Sequence, residues 1–309
     1  GHKAFEEALS GLCQQAEERV LAGNTFLILS DRGVNRETAP LPSLLGLAAV
    51  HHHLIRKGLR SRVGLVVETG EAREVMHYAL LTGFGASAVH PYLAFETLYE
   101  LFDRGLLETR TRDEAVERYI KAIRKSLLKI FSKMGISTLQ SYTGAQIFEA
   151  IGLNSQVVDK YFTGTASRIE GVGIEAIAGE TLLRHEDAYP AFEVGSPELD
   201  VGGQYQWRIR GEHHMWNPDS IAKLQHSVRQ GSFATYQEFS KVCNEQSQKC
   251  ATLRGLLSFK KRTPVPLEEV EPAKDIVARF CTGAMSFGSI SREAHETLAV
   301  AMNRIGGKS

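Results

Sequence analysis

The feature that most restricts the fold is an alternation of helical and extended patterns over the first part of the chain. Three segments place apolar residues at the spacing of one helix face, and a short apolar run follows each: the helical segments span residues 5–22, 42–57 and 71–82, and the runs span residues 25–29, 63–67 and 86–89. The first run is typical of a strand buried on both faces of a parallel sheet. The alternation predicts an α/β fold in which a parallel sheet is covered by helices.

The middle of the chain is predicted to be mainly helical. Residues 112–134 form a long amphipathic pattern with a basic outer face, and shorter helices are expected at 144–150, 155–161 and 174–184. In the earlier helix at 71–82, acidic residues fall in the first turn, where the helix dipole favours them.

A change of composition marks the expected domain boundary. Between residues 189 and 216 the chain is rich in Gly and Pro and has no periodicity. We therefore predict two domains, at residues 1–188 and 189–309. Within the second we expect helices at 218–228, 236–246 and 292–305, and a strand at 276–281.

Composition restricts the partners and the compartment. Lys and Arg together number 36, and so do Asp and Glu, which gives no electrostatic reason to expect nucleic acid or an anionic membrane as a partner. No apolar run approaches the roughly 20 residues that span a bilayer. The four cysteines are sparse and irregularly spaced, as in a reducing compartment, so a cytoplasmic or plastid-stromal location is expected. The chain begins at Gly1 without Met or a secretory signal, which is typical of a processed or partial chain.

No metal site is predicted. His51, His52 and His53 point about 100° apart if helical, so they cannot converge on one ion, and we expect them to pack and hydrogen-bond instead. Cys243 and Cys250 would lie roughly 10 Å apart along a helix and are interpreted as structural thiols. The Gly-X-Gly stretches at 83–85 and 171–173 are interpreted as turns, since neither lies cleanly between a strand and the following helix.

Residues 283–291 form the one candidate ligand loop. They are rich in small side chains, follow an apolar run that ends at Cys281, and lead into the helix at 292–305. Small residues at the carboxyl end of a strand let a planar or phosphorylated ligand approach the backbone. An ordinary strand-to-helix turn remains the alternative on these residues alone.

Long motifs along nearly the whole chain resemble one family, glutamate synthase. In the first domain they are LPSLL at 41–45, HHH at 51–53, VVETGEARE at 66–74, HPYLAFET at 90–97, KMGISTLQSY at 133–142 and GAQIFEA at 144–150. In the second they are GEHH at 211–214, WNPD at 216–219 and GAMSFGSIS at 283–291. The first set is similar to the family's central domain, and the second to the opening of its flavin domain.

The resemblance implies a reaction and its cofactors. In the family, an amidotransferase domain releases ammonia from L-glutamine, and the ammonia passes through a tunnel to an FMN-bearing (β/α)₈ barrel. There it condenses with 2-oxoglutarate, and the resulting 2-iminoglutarate is reduced to L-glutamate. Electrons come through an iron–sulfur cluster from ferredoxin or from a pyridine-nucleotide-dependent small subunit. The wording of the motifs favours the ferredoxin-dependent type. The basic face of residues 112–134 is interpreted as a solvated or interdomain surface, with docking of an electron donor as the less favoured alternative.

The resemblance also implies roles for six residues. Ala284, Met285 and Ser286 are expected to lie against the flavin ring of FMN. The other three, Gly288, Ser289 and Glu293, are expected to face the substrate pocket and the tunnel exit. No catalytic residue is predicted within this chain.

We expect the chain to link the two active centres, to wall part of the tunnel, and to be inactive alone. The amidotransferase domain, the cluster cysteines and most of the truncated barrel are expected to lie outside these 309 residues. The alternative is a stand-alone structural or assembly module built on the central domain. An independent enzyme of another class is a third and weaker alternative, since no catalytic dyad stands out.

Overall fold

The first sheet sets the architecture of the amino-terminal half. The structure is a computed structural model that describes residues 2–190, 201–245 and 252–309. Strands β1 (Phe26–Ser30), β2 (Gly64–Glu68) and β3 (Ala88–His90) pair in parallel in that order. Helices α1 (His2–Leu21), α2 (Ser43–Arg56) and α3 (Val75–Gly83) alternate with them. The expected α/β fold with a helix-covered parallel sheet is confirmed.

The chain divides into two units, residues 1–195 and 196–309. In the first unit α1 packs on α2, and both contribute to a core with the middle strand. The largest fully buried apolar side chains of this core are Leu9, Val20, Leu47, Val50, Leu54, Leu65 and Val67. The functional boundary expected at residue 188 stays a prediction.

Strand β1 is less buried than its sequence indicated. Phe26 and Ile28 are 71% and 67% exposed, so the expectation that this strand is buried on both faces is wrong. The reason is topological: β1 is an edge strand, and within the described residues no element covers the face that carries these two side chains. In the central strand β2, by contrast, Leu65 and Val67 on one face are fully buried, and Gly64, Val66 and Glu68 on the other face are half-buried.

Helix α3 begins later than expected. It starts at Val75, and Glu74 is the N-cap residue in a reciprocal capping box with His77. The expectation of acids inside its first turn is therefore wrong, because Glu71 lies ahead of the helix and bonds elsewhere.

The rest of the first unit contains a second small sheet. After α3 come α4 (Tyr92–Asp103), α5 (Arg112–Lys133), α6 (Leu139–Tyr142), β4 (Glu149–Leu153), α7 (Ser155–Tyr161), β5 (Ala166–Val172) and α8 (Ile174–Ala188). Strands β4 and β5 pair in parallel with shifts of register. The helices expected within 112–134, 155–161 and 174–184 are confirmed.

The helix expected at 144–150 is wrong. Gly144 and Gln146 both have positive φ, which a helix does not allow, and Glu149 and Ala150 already belong to β4. The second Gly-X-Gly stretch is also not a simple turn. Gly171 lies in β5, where an added Cβ would stand 2.1 Å from the carbonyl oxygen of Gly152, so the close approach of β4 and β5 requires glycine here.

The second unit is helical, and its strand pairing is minimal. Its helices are α9 (Pro218–Gln230), α10 (Phe233–Glu245), α11 (Ala273–Val277) and α12 (Arg292–Ile305). The strand expected at 276–281 is wrong: its first residues end α11, and Cys281 makes a single parallel bridge with Lys308. A strand needs a neighbour along its length, and the described residues supply only this bridge. Cys250 lies outside the described residues. No helix in the described ranges combines the length and the apolarity that a membrane crossing requires.

Candidate functional site

The candidate ligand loop joins two short segments that run in parallel. The main-chain N–H of Lys308 donates to the carbonyl of Phe280 at 2.9 Å, and that of Thr282 donates to the carbonyl of Lys308 at 3.0 Å. Helix α12 connects them, so the arrangement is a minimal β-α-β unit. Residues 283–291 leave the carboxyl end of its first segment, which is the end where β/α folds place ligands.

The loop is ordered by bonds among its own hydroxyl groups. The main-chain N–H and the hydroxyl of Ser289 both donate to the carbonyl of Ser286, at 2.9 and 2.7 Å. Ser291 is the N-cap of α12 and accepts from the N–H of Ala294 at 3.2 Å. The backbone N–H of Glu293 itself, and then the Ser291 hydroxyl, hold the pKa of the Glu293 carboxyl below its usual value. The first turn of α12, directly after the loop, therefore carries a negative charge at Glu293.

The six predicted residues all lie at the surface, within the candidate loop or just after it. Ala284, Met285 and Ser286 are exposed, and so are Gly288, Ser289 and Glu293. The main-chain N–H groups from Gly283 to Gly288 donate no hydrogen bond within the described residues. An added Cβ at Gly283 would meet nothing within 4 Å, and one at Gly288 would approach only the Ser286 hydroxyl, at 3.8 Å. Small side chains, free donors and open backbone fit one face of a planar flavin ring.

Helix α12 also presents an uncovered apolar stripe. Leu298 and Ile305 are 38% and 55% exposed, Met302 is half-buried, and no residue of the helix is buried. In a closed barrel such a stripe packs on the strands. In the described part of the second unit it has no comparable surface to cover it.

A second candidate region is the carboxyl edge of the first sheet, where a cavity of about 240 Å³ lies. Its acids bond within the protein. Asp31 accepts from the hydroxyl of Thr69 at 2.6 Å and from the N–H of Gly70 at 3.1 Å. Glu68 accepts from the hydroxyl of Ser30 at 2.6 Å.

Two further contacts complete this edge. Glu71 accepts from both the N–H and the hydroxyl of Ser43, at 2.7 and 2.6 Å, and so holds the amino end of α2. Arg32 pairs with Glu68 at 3.2 Å and lies 4.7 Å from the ring centre of Tyr92. Burial, and then the hydrogen bond with Asp31, raises the pKa of Tyr92 to about 12. The edge is a cross-linked network, and its carboxylates are committed to protein donors.

The consecutive histidines pack as expected and do not converge. His51 is buried and accepts from Nε of Arg60 at 2.9 Å through Nδ1. His53 lies 2.7 Å from Glu17. Arg60 was missed at the level of sequence, because nothing in its spacing marks it as the partner of a histidine nine positions earlier.

The side chains that could bind a metal ion do not cluster in the described residues. Among the described residues, no group of three or more His, Cys, Asp or Glu side chains could hold a metal ion. Cys13 is buried in the first unit, whereas Cys243 and Cys281 belong to the second.

Two family profiles match this chain, one within each unit. The family profile described as the glutamate synthase central domain matches residues 2–154, and the one described as a conserved region in glutamate synthase matches residues 214–309.

Curated relatives match along nearly the whole chain. The NADPH glutamate synthase large chain of Bacillus subtilis is 48% identical over 99% of this chain and 20% of its own length. The NADH glutamate synthase of Schizosaccharomyces pombe is 48% identical over 100% of this chain and 15% of its own. The ferredoxin-dependent enzyme of Pyropia yezoensis is 43% identical over 100% and 21%. The chain thus spans about a fifth of the length of these relatives, and it belongs to the glutamate synthase family.

Proposed function

We propose that this chain is the part of a glutamate synthase that joins the ammonia-releasing and ammonia-using centres. The observation that carries the proposal is the collinear match of both units to that family, over 99% of the chain at 48% identity in one relative. The whole enzyme, an oxidoreductase, would form L-glutamate from 2-oxoglutarate and ammonia derived from L-glutamine. We assign residues 1–188 to the central domain and residues 189–309 to the opening of the flavin domain.

The first unit acts as a scaffold that walls part of the ammonia tunnel. Support comes from the carboxyl edge of its sheet, where α/β enzymes usually hold their ligands. There the carboxylates of Asp31, Glu68 and Glu71 are taken up by internal donors. Carboxylates bonded in this way make the edge rigid and leave the chemistry to another part of the polypeptide.

The second unit supplies one wall of the flavin site. Ala284, Met285 and Ser286 would lie against the ring of FMN, with unbonded main-chain donors beside it. Gly288, Ser289 and Glu293 would face 2-oxoglutarate and the tunnel exit. When bound, FMN supplies the hydride that reduces 2-iminoglutarate. The residues of this chain position the ring and exclude water on one side.

The remaining parts belong elsewhere in the same polypeptide or to a partner. We assign the amidotransferase domain, the other barrel strands and the iron–sulfur ligands to regions outside these 309 residues. We assign the electron donor as ferredoxin or a pyridine-nucleotide-dependent small subunit. The motifs favour ferredoxin, whereas the relatives at 48% identity are NADPH and NADH enzymes and the ferredoxin-dependent one is 43% identical. The compartment is the cytoplasm or the plastid stroma.

A flavin titration of the 309-residue chain tests the claim that it is inactive alone. We expect neither stoichiometric FMN binding nor glutamate formation from ammonia, 2-oxoglutarate and a reductant, because a single wall does not enclose the ring. Tight binding or turnover would contradict this. A reading frame that continues through a cysteine cluster would remove the stand-alone module.

A pair of variants in the complete polypeptide tests the site. Ala284→Leu places a branched side chain where the ring is proposed to lie, and we expect FMN affinity to fall about tenfold or more, since each 1.4 kcal/mol is a factor of ten. Asn303→Ala, an exposed change on α12, is the matched control and should keep full flavin content. Equal flavin content in both variants would remove Ala284 from the site.

A further inference from the structure

A cavity of about 290 Å³ lies in the first unit, and no residue of the candidate ligand loop lines it. It lies between the carboxyl half of α2, the end of α3 and the irregular chain that precedes β4. Its walls are formed by His51, His52, Ile55, Gly83, Phe84, Tyr142, Gly144, Ala145, Gln146, Ile147, Phe148, Thr163, Gly164 and Thr165. The volume is at the lower end of the range for small-molecule sites.

The charge around the cavity is one-sided. Its lining contains no Asp or Glu. Behind His51 lies Arg60, and within the described residues it donates to neutral acceptors only, namely Nδ1 of His51 and the carbonyls of Val63 and Gly85. A guanidinium without a carboxylate partner leaves a positive potential at this wall.

His51 lines the cavity, and its hydrogen bond with Arg60 fixes the tautomer of the imidazole. Because Arg60 donates to Nδ1 at 2.9 Å, the proton of the neutral ring is on Nε2. Burial, and then the charge of Arg60, lowers the pKa of His51 to about 4, so the ring is neutral at pH 7.

A second donor in the wall lacks a partner. Tyr142 is fully buried, and its hydroxyl has no hydrogen-bond partner within the described part of the chain. Its ring is held at 4.2 Å from that of Phe131 and 6.3 Å from that of Phe148. Buried hydroxyl groups in native proteins nearly always make a hydrogen bond, and a buried hydroxyl without one lowers the stability of the fold.

Another part of the lining is apolar, and one residue of the lining has an uncommon backbone conformation. Phe84 and Phe148 stack with ring centres 5.6 Å apart, next to Ile55 and Ile147. Gln146 has φ of 54°, an uncommon conformation for a residue other than glycine. Strain of this kind is typical of residues that present a group to a ligand.

We propose that this cavity is a binding site for a small organic carboxylate with an apolar body. The carboxylate accepts from Tyr142 and from Nε2 of His51, on the side backed by Arg60, and the apolar body lies against Phe84 and Phe148. An acid-free lining excludes cations, and the hydrophobic wall favours an organic acid over a fully hydrated inorganic anion.

Benzoate and benzamide are matched probes, since they share a ring and differ in the charged group. We expect benzoate to bind the 309-residue chain with a Kd of about 1 mM, as a ligand of this size allows. Binding should shift the side-chain NMR signals of His51 in ¹⁵N-histidine-labelled protein, and benzamide should bind at least tenfold more weakly. Absence of a benzoate response, as for a cavity that holds only water, would overturn the proposal, and so would equal binding of benzamide.

Two Tyr→Phe variants identify the cavity. Tyr142→Phe removes the unpartnered hydroxyl without changing the shape of the wall and should weaken benzoate binding about tenfold. The control is Tyr161→Phe, because Tyr161 also has a buried, unpartnered hydroxyl but does not line this cavity. Benzoate affinity that stays the same in Tyr142→Phe, or that falls equally in both variants, would contradict the site. Both proteins should keep the far-UV circular dichroism of the wild type.

Discussion

The two units use the same β-α-β connection and complete it to different degrees. In the first, β1, β2 and β3 pair along their lengths and helices seal the middle strand, so that Leu65 and Val67 are inaccessible. In the second, the pairing is reduced to the Cys281–Lys308 bridge, and α12 has no buried residue. Apolar patterning alone therefore does not decide burial. Burial of an apolar strand also requires paired neighbours and a covering layer of helices.

The largest expected difference between the units is the cost of removing a leucine side chain. Leu47 in α2 is fully buried, so Leu47→Ala should lower the free energy of unfolding by about 2 to 5 kcal/mol. Leu298 in α12 is 38% exposed, so Leu298→Ala should cost less than about 0.5 kcal/mol. Urea titrations of the two variants would measure both values.

Tryptophan fluorescence and far-UV circular dichroism together distinguish the unfolding of the two units. Its two tryptophans, Trp207 and Trp216, both belong to the second unit, so their fluorescence follows that unit, while far-UV circular dichroism follows both. A loss of 2 kcal/mol or more in Leu298→Ala, on the scale of a buried leucine, would show that α12 is covered after all and would remove the contrast.

The next largest expected difference between the two units is the loss of stability at acidic pH. The pKa of His51 is lowered from 6.5 to about 4, so on acidification the unfolded chain takes up a proton before the folded one does. Stability is therefore present above pH 6.5 and is lost as the pH falls toward 4, by about 2 kcal/mol between pH 7 and pH 5. Burial lowers the pKa of His52 in the same direction. No described histidine of the second unit is buried.

Urea unfolding at pH 7 and pH 5, followed by circular dichroism, checks this expectation. His51→Asn keeps an acceptor near the position of Nδ1 and removes the titrating ring, so its stability should change by about 2 kcal/mol less over the same interval. An identical pH dependence in the wild type and the variant would exclude His51 as the cause.

The smallest effect concerns helix caps. Ser291 caps α12 and Thr111 caps α5 through equivalent bonds to main-chain N–H groups, and loss of such a bond costs about 1 kcal/mol. No residue of α12 is buried, so little tertiary packing compensates, and Ser291→Ala should speed amide hydrogen exchange along the helix by about fivefold. Thr111→Ala should affect only the first turn of α5, which packs on α3 and α4. Equal exchange profiles in the two helices would contradict the difference in support.

The alternation of patterns was sufficient to predict the first sheet, because each element there pairs with its neighbour in sequence. It failed where the deciding contact is distant or the backbone is unusual. Residues 149–150 pair with β5, and Gln146 has a positive φ, neither of which local periodicity records. The strand expected at 276–281 also failed, because Ile276 and Val277 end α11 and the described residues offer Cys281 only the bridge with Lys308.

The candidate sites were predictable to different extents. Residues 283–291 stood out as a candidate loop because small residues precede a helix start in the linear sequence, whereas the roles of the six residues came from the resemblance to glutamate synthase and stay a prediction. The cavity at Tyr142 could not be identified in this way, since its walls come from segments that meet only in three dimensions, and Arg60 carries no motif. The position of Arg60 behind the buried His51 follows only from the three-dimensional structure, in which its guanidinium donates hydrogen bonds of 2.6 to 2.9 Å.

The Cys281–Lys308 bridge has a consequence for synthesis on the ribosome. All three strands of the first sheet have been made by residue 90, whereas the bridge cannot form until residue 308 has left the exit tunnel. At about 5 to 20 residues per second, the amino-terminal sheet has roughly 10 s or more to settle before its later counterpart can begin to pair. The first sheet can thus be paired along its length while the residues of the bridge are still being made, so the order of translation separates the formation of the two parallel segments in time.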